Sequence, residues 1–389
     1  MDTIIIGGLI SFIVSFYAMP IIIQVAEMKK LYDLPGERKV HKTPIPSLGG
    51  LGIFIGFTLG LLLSVNLSAT TGEFQYYMAA FLVVFFFGIK DDILVLAPMK
   101  KFLGQLFVSA ILIFKAGLVI DNMHGFAGIE TINPIISRIF TLITIVVIMN
   151  AYNLIDGVDG LAATVGILTT SIFAAFFYMN GDTFYAILGF TFAASLIAFL
   201  IYNYSPAKIF MGDTGSMMIG VVNAILVIRF IQTAEGSKMM PVLASPAMGF
   251  GILMMPLLDT LRVFSLRIMR KRSPFSPDRT HLHHLLLDKG LSHRAITLSI
   301  GFFVLLFVTV SYLTLNLGAT KVIAAQVISF FIGIYLLNMG RIKLKKRNRK
   351  GMTLIENEDQ YAANIFQRGK KFFAAKPAAG ATVEEEDSI

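Results

Sequence analysis

Carboxylates and amides follow several long apolar segments of this 389-residue chain. Asp91 and Asp92 are adjacent, and Asp213 lies between glycines in the sequence FMGDTGS. The other members of this group are Asn153, Asp156, Asp159, Asn203 and Asp259. Hard cations such as Mg²⁺ and Mn²⁺ prefer carboxylate oxygens as ligands. Ionisable groups next to apolar spans are costly, so this pattern indicates a functional site.

A basic segment with clustered histidines follows the apolar stretch that ends near residue 265. The segment reads PDRTHLHH, and its candidate residues are Arg279, His281, His283 and His284. A zinc site is the less favoured interpretation of these histidines, because histidines seldom bind zinc without a positioned carboxylate. A guanidinium beside imidazole donors suits phosphate better. Together with the carboxylates, these are the residue types that phosphoryl transfer uses. In such sites Mg²⁺ binds one or two carboxylates plus substrate phosphates.

Each of these clusters also has a structural explanation, which the sequence leaves open. Asp91 and Asp92 could form a solvated helix end. Asn153, Asp156 and Asp159 could cap helices, because Asp, Asn and Gly favour turns and N-caps. Asp213 could cap the apolar helix that follows it.

The composition defines the class of protein that must position these residues. Hydrophobic residues make up 56% of the chain and charged residues 15%, and the mean hydropathy is +0.74. A soluble domain carries about 25% charged residues, so a soluble globule is excluded. The net charge of +9 indicates positive loops of a membrane protein rather than a nucleic-acid partner. The absence of cysteine excludes disulfides and thiolate chemistry.

The apolar segments predict an all-α polytopic membrane protein with about 11 transmembrane helices. A span needs about 20 mostly apolar residues. The predicted spans lie near 3–25, 48–66, 76–90, 102–120, 135–152, 161–179, 183–203, 213–231, 243–265, 295–316 and 321–339.

The distribution of Lys and Arg predicts the orientation of these spans. Loops on one side carry most of the positive charges, whereas the other side has little beyond Lys238 and Lys321. The positive-inside rule therefore places the N-terminus outside and the C-terminus in the cytoplasm. Under this orientation the carboxylate and histidine clusters face the cytoplasm, whereas a carrier would place such groups near the bilayer midplane. We expect a transmembrane domain over 1–340 and a disordered tail, basic and then acidic, over 341–389.

Five motifs together resemble one known family, the polyprenyl-phosphate N-acetylhexosamine-1-phosphate transferases of the WecA/TagO group, which are related to MraY. The eleven predicted spans are similar to the WecA-like branch, because MraY-type enzymes have ten spans. The sequence HLHH is also similar to that branch. The motifs are RKVHKTPIPSLGGLGI at 38–53, DD at 91–92, NAYNLIDGVDGLA at 150–162, YNYSPAKIFMGDTGS at 202–216 and PFSPDRTHLHHLL at 274–286.

The resemblance implies a Mg²⁺-dependent enzyme, with Mn²⁺ as an alternative ion. It would transfer an N-acetylhexosamine 1-phosphate, GlcNAc-1-phosphate above all, from a UDP-sugar to undecaprenyl phosphate and release UMP. This step starts a surface glycan such as an O-antigen or a teichoic acid. The implied location is the bacterial inner membrane, with the active site on the cytoplasmic face and a homodimer among the expected assemblies.

The resemblance also implies roles for single residues. Asp91, Asp92 and Asp213 are the expected catalytic residues, and Asp213, Asp92 and Asp156 are the expected metal ligands. The expected substrate-binding residues are Lys42, Asn153, Asp156, Asp159, Asn203, Arg279, His281, His283 and His284.

Three alternatives stay open at this point. An MraY-type enzyme would use a UDP-muramyl-pentapeptide, and a transporter or flippase would move its substrate without releasing UMP. Within the favoured function, the lipid phosphate could attack directly, or the reaction could pass through an aspartyl-phosphate. Neither the identity of the hexosamine nor the glycan pathway follows from the sequence.

Overall fold

The computed structural model describes residues 1–33, 45–66, 72–94, 96–237, 242, 244–271, 273 and 280–339. Within these ranges the chain is dominated by helices. They are α1 (Asp2–Lys29), α2 (Gly49–Ser64), α3 (Phe74–Leu94), α4 (Pro98–Ala110), α5 (Pro134–Ile155), α6 (Leu161–Met179), α7 (Thr183–Asn203), α8 (Gly212–Thr233), α9 (Ser245–Met269), α10 (Leu282–Leu287), α11 (His293–Leu313) and α12 (Ala319–Met339).

Helix α8 is the centre of the structure. Of its most apolar 18-residue stretch, 94% is buried inside the protein, against 22% for α1 and α12. Helices α2, α3, α5 and α6 pack around it, and α1 and α7 pack against α2. A helix that is apolar on every side must be enclosed by other helices or by lipid. Both ends of α8 therefore lie where several helices meet.

Eight helices are long and apolar enough to cross a membrane: α1, α5, α6, α7, α8, α9, α11 and α12. The prediction of a multi-pass helical membrane protein is confirmed at this level. Each of the eleven predicted spans coincides with a helix, but α2 has 16 residues and α4 has 13, fewer than the 20 or so that a span needs. The count of eleven is therefore not confirmed.

The fourth predicted span, 102–120, is wrong at its end. Helix α4 continues only as a π-helical turn over Ile111–Lys115. The chain then leaves the helix at Ala116, and Gly117 adopts a positive φ of 67°. A left-handed residue of this kind ends a helix.

Two small antiparallel sheets were not predicted by the all-α assignment. Strand β1 (Tyr32–Asp33) pairs with β2 (Ile45–Pro46). Strand β3 (Asn122–Phe126) pairs with β4 (Ile129–Thr131) as a hairpin. The hairpin turn contains Ala127 and Gly128, both at positive φ, which is typical of tight hairpin turns.

Residues Met1–Ile334 form one compact unit, and Tyr335–Ile389 form a second. Of the second unit, the structure describes residues 335–339. The tail over 341–389 lies outside the described residues, so its disorder and the domain boundary at 340 stay predictions.

Candidate active site

Asp92 caps the first turn of α8. Its carboxylate accepts hydrogen bonds from the backbone N–H of Asp213 at 2.6 Å, the backbone N–H of Thr214 at 3.2 Å and the Thr214 hydroxyl at 2.6 Å. Gly212, which begins the helix, has a positive φ of 71°, a conformation that glycine adopts without strain. An anionic side chain at a helix N-terminus is favourable, because the first backbone N–H groups have no partner within the helix. Asp92 thereby fixes the backbone that carries Asp213.

Asp91 points away from its neighbour, as expected for adjacent residues on a helix. Its Oδ1 accepts a hydrogen bond from the backbone N–H of Leu96 at 2.5 Å, and its Oδ2 forms an ion pair with Nζ of Lys101. The same Nζ also pairs with Oδ2 of Asp213. Lys101 therefore bridges the two carboxylates that the sequence assigned to catalysis. The sequence analysis gave Lys101 no role beyond positive charge in a loop.

Asn153, near the end of α5, completes the surroundings of Asp213. Its Nδ2 donates to Oδ1 of Asp213 at 2.6 Å and lies 3.0 Å from Oγ of Ser216. Helices α3, α4, α5 and α8 thus each contribute a side chain to one polar cluster: Asp91, Lys101, Asn153 and Asp213.

The segment after α5 brings two further carboxylates to this cluster. Burial raises the pKa of Asp156 to about 7, and the negative charges of Asp213, Asp92 and Asp159 raise it as well. Burial opposes the ionisation of Asp159, but its hydrogen bond to His293 and the charge of that residue hold the pKa of Asp159 below its ordinary value. Nδ1 of His293 lies 3.1 Å from Oδ2 of Asp159. His293 is a neighbour that the sequence analysis missed.

Asn203 holds this segment in place. Its Oδ1 accepts a hydrogen bond from the backbone N–H of Gly160 at 2.8 Å, and its Nδ2 donates to the backbone oxygen of Ile209 at 2.8 Å. The side chain is 3% exposed. Both polar groups of the Asn203 side chain therefore bind the backbone of neighbouring loops. A contact of Asn203 with substrate stays a prediction.

The histidine segment lies against the same loop. The ring of His283 covers Gly157, where an added Cβ would collide with Nε2 of His283. Burial lowers the pKa of His283 to about 3, so this ring is neutral in the physiological range. Its neighbour His284 lies beside it, with ring centroids 4.3 Å apart. The structure thus places this pair beside the loop that carries Asp156 and Asp159, and their contact with a diphosphate stays a prediction.

Two predicted substrate-binding residues, Lys42 and Arg279, lie outside the described residues. Asp259 and His281 form a separate hydrogen-bonded pair on α9 and at the start of α10, at 3.0 Å. From the sequence, Asp259 was one of the carboxylates beside apolar segments and had no individual role.

The cluster has the donor chemistry of a magnesium site. Its ligand atoms are carboxylate and amide oxygens, which Mg²⁺ prefers. Within the described part of the chain, no group of three or more histidine or acidic side chains is placed to hold a metal ion unaided.

Comparison with known proteins identifies the family. Glycosyl transferase family 4 matches residues 74–231. A decaprenyl-phosphate N-acetylglucosaminephosphotransferase of Mycobacterium leprae is 34% identical in an alignment 314 positions long that covers 75% of this chain and 79% of that protein. The chain belongs to this family of polyprenyl-phosphate N-acetylglucosamine phosphotransferases. The resemblance drawn from the motifs is confirmed.

Two other relatives support the same assignment. The decaprenyl-phosphate N-acetylglucosaminephosphotransferase of Mycolicibacterium smegmatis is 32% identical and covers 86% of this chain and 88% of its own length. The undecaprenyl-phosphate alpha-N-acetylglucosaminyl 1-phosphate transferase of Escherichia coli K12 is 28% identical, over 70% of this chain and 73% of its own. The family match at 74–231 contains the cluster of Asp91, Lys101, Asn153 and Asp213.

Proposed function

We propose that the protein transfers N-acetylglucosamine 1-phosphate from UDP-N-acetylglucosamine to undecaprenyl phosphate and releases UMP. The observation that carries this proposal is the cluster at the first turn of α8, where Lys101 and Asn153 contact Asp213. The cluster lies within the sequence range that matches the family. The names of the relatives supply the sugar and the class of lipid acceptor.

The reaction exchanges one phosphorus–oxygen bond for another. An oxygen of the lipid phosphate attacks the sugar-bearing phosphorus of the UDP-sugar and forms the new diphosphate bond. The bond from that phosphorus to the bridging oxygen breaks, and UMP leaves with the electron pair. A phosphate monoester has a second pKa of about 6, so the nucleophile is largely ionised near neutral pH. A base is therefore needed chiefly at low pH.

The residues of the cluster suit distinct parts of this reaction. The ammonium group of Lys101 can replace one of its two carboxylate partners with a phosphate oxygen, because its side chain is 31% exposed and already faces two anions. Asp91 is the proposed base that accepts a proton from the lipid phosphate. Asp92 keeps the first turn of α8 in place, since its oxygens are engaged by three donors.

Magnesium fits the remaining acidic side chains. Asp213 and Asp156 would hold the ion, and Asp92 suits this role less well because its oxygens cap α8. Burial, and after it the negative charge of Asp213, Asp92 and Asp159, raises the pKa of Asp156 to about 7, and a divalent cation would offset that negative charge. When bound, Mg²⁺ would supply positive charge that offsets the charge developing on the leaving group. Mn²⁺ has the same ligand preference and is the alternative ion.

We also propose eleven spans, with the N-terminus outside and the active site on the cytoplasmic face of the inner membrane. The support is the predominance of Lys and Arg in loops on the side of the acidic cluster. Tags placed at the two ends of the chain in oriented vesicles test this topology. A protease-accessible C-terminus on the outer face would contradict it. A homodimer stays a prediction.

The test of the activity uses the purified protein, Mg²⁺, undecaprenyl phosphate and a panel of UDP-sugars. We expect UMP release that depends on the lipid and is fastest with UDP-N-acetylglucosamine. Preference for a UDP-muramyl-pentapeptide would support the MraY-type alternative instead. Substrate movement into sealed vesicles without UMP release would indicate a transporter.

A further inference from the structure

The carboxylate of Asp259 is surrounded by donors at the start of α10. It lies on α9 and is 3% exposed. Its Oδ1 accepts from Nη2 of Arg262 at 2.7 Å, and its Oδ2 lies 3.0 Å from Nδ1 of His281. The backbone N–H of Leu282 donates to both oxygens, at 3.0 and 3.1 Å. This buried acid is therefore fully hydrogen-bonded and joins two helices.

These contacts define which nitrogen of His281 carries a proton. An ionised carboxylate only accepts hydrogen bonds, so Nδ1 of His281 must donate to Asp259. The other ring nitrogen, Nε2, lies 3.5 Å from Nη2 of Arg267. A guanidinium only donates, so Nε2 faces it as an acceptor. This arrangement suits a His281 ring with a proton on Nδ1 and an acceptor at Nε2.

The ring of His281 is buried beside that of His283, which with Asp156 and Asp159 is predicted to line the sugar-nucleotide pocket. His281 is 4% exposed, and protein groups face both of its nitrogens. It stacks on His283, with ring centroids 5.7 Å apart and an interplanar angle of 5°. His283 in turn covers Gly157, the residue after Asp156. A chain of contacts thus runs from Asp259 through two imidazole rings to the acidic loop.

We infer that Asp259 is a positioning residue for the sugar-nucleotide pocket: it fixes His281 with its proton on Nδ1, and His281 holds His283 against Gly157. This inference rests on the proposed function for the identity of the pocket. It also gives His281 a different role from that implied by the family resemblance, because His281 acts on the diphosphate through His283 and not by direct contact.

A merely structural role for Asp259 would be to cap α10 through Leu282. Asn at position 259 separates the two roles, because its amide oxygen can still accept from the backbone N–H of Leu282. The amide NH₂ must then face a donor, either Nδ1–H of His281 or the guanidinium of Arg262. Opposed donors in a buried site are unfavourable, so His281 must move its proton to Nε2 or turn away.

The kinetic experiment compares Asp259→Asn with the wild-type protein in the UMP-release assay. We expect the KM for UDP-N-acetylglucosamine to rise about tenfold to a hundredfold, as for other residues that orient a ligand-contacting group, with a smaller fall in kcat. The matched control is Asp288→Asn, which removes an exposed carboxylate just after α10 and should leave both constants unchanged. Wild-type constants in Asp259→Asn would overturn the inference.

A double-mutant cycle tests whether Asp259 acts through His281. In the His281→Ala background, Asp259→Asn should cause little further loss, because residues in one hydrogen-bonded chain are not additive. Losses that multiply independently would show that Asp259 acts by another route and would overturn the inference.

A spectroscopic measurement is independent of activity. In the wild-type protein with ¹⁵N-labelled histidine, the signals that His281→Ala removes should show a neutral ring protonated at Nδ1. The signals should change in Asp259→Asn. Wild-type signals protonated at Nε2, or at both nitrogens, would overturn the inference even if Asp259→Asn fails to fold. Absence of UMP release by the wild-type protein would reject the proposed function and leave this tautomer result standing.

Discussion

The two ends of α8 both carry buried polar groups, but they balance charge differently. At the Gly212 end, Asp91 and Asp213 share one ammonium group, that of Lys101. Asp92 relies on backbone and hydroxyl donors, and the nearby Asp156 has its pKa raised by burial and by its acidic neighbours. Within the described part of the chain, this end therefore holds more carboxylates than the ammonium group of Lys101 can neutralise.

At the Thr233 end, acidic groups are matched by donors and cations. Glu73 accepts a hydrogen bond from the Tyr185 hydroxyl at 2.8 Å, and that hydroxyl lies 2.9 Å from the hydroxyl of Tyr77. The Arg229 guanidinium lies 5.1 Å from the centroid of the Tyr185 ring. Glu235 forms an ion pair with His124, whose other ring nitrogen lies 3.0 Å from a backbone oxygen.

We interpret the Gly212 end as a functional site and the Thr233 end as a structural contact between helices. The polar groups at the Thr233 end contact one another and join α3, α7 and α8. Surplus negative charge at the Gly212 end raises the free energy of the folded protein unless a bound cation offsets it. Substitutions at the Gly212 end should therefore change activity, whereas those at the Thr233 end should change stability.

The largest effect is expected for Asp213→Asn, which keeps the shape of the side chain and removes its charge. We expect UMP release to fall by about a hundredfold or more, the loss typical of removing one preorganised electrostatic group. The protein should still fold, but its melting temperature should fall somewhat, because the variant loses the ion pair with Lys101. Rates come from the UMP assay and stability from thermal unfolding in detergent. Glu235→Gln, a carboxylate at the opposite end, is the control and should retain wild-type turnover, so equal losses in both variants would remove the distinction between the ends.

Asp91→Asn should show a pH-dependent loss of activity. If Asp91 accepts a proton from the lipid phosphate, the loss is greatest at low pH, where the monoanion dominates. It should diminish between about pH 6 and 9, because the second phosphate pKa is about 6 and the dianion then forms unaided. The measurement is the pH–rate profile of the variant against the wild type. A variant that is equally inactive at every pH, together with a phosphorylated aspartate trapped in the wild type, would favour the covalent route.

Asp156→Asn should raise stability in the absence of divalent cations. The folded-state pKa of Asp156 is raised from 3.8 to about 7. Its contribution to folding is therefore fully present below about pH 4 and is lost as the pH rises through about 7. We expect the variant to melt above the wild type at alkaline pH in EDTA and to match it near pH 4. A melting temperature of the variant that exceeds the wild type most at pH 4 would contradict the raised pKa of Asp156.

The smallest effect is expected at the Thr233 end. Glu73→Gln weakens the hydrogen bonds to two tyrosines and should lower the free energy of unfolding by about 1 kcal/mol. Turnover should stay at the wild-type level because this end does not contact the proposed substrates. A loss of UMP release without a loss of stability would show that this end also takes part in function.

The positions of the helices could be predicted from the sequence because long apolar runs determine them directly. Asp91, Asp92 and Asp213 could be predicted because carboxylates are rare beside such runs. Their division of labour could not, since Asp92 caps a helix that begins 120 residues later in the chain. Only the packing of α3 against α8 reveals that contact.

Lys101 shows why part of the site stays hidden in a sequence. Lys100 and Lys101 are adjacent, and both resemble the positive charges of any inner loop. Neighbours on a helix point about 100° apart, so one of the two faces the cluster, and the register of α4 decides which. The hairpin of β3 and β4 had a weaker signal, because its glycines, Gly125 and Gly128, lie in a short polar segment between predicted spans.

The most direct test of the proposed activity follows the phosphate itself. UDP-N-acetylglucosamine labelled with ³²P in the sugar-bearing phosphate is incubated with the purified protein, Mg²⁺ and undecaprenyl phosphate. If the Gly212 end of α8 transfers a sugar phosphate, the label should enter the lipid fraction in equal amount to the UMP released, and Asp213→Asn should abolish both. Label that leaves as UDP while the sugar reaches the lipid, or label that stays in the donor, would contradict this account.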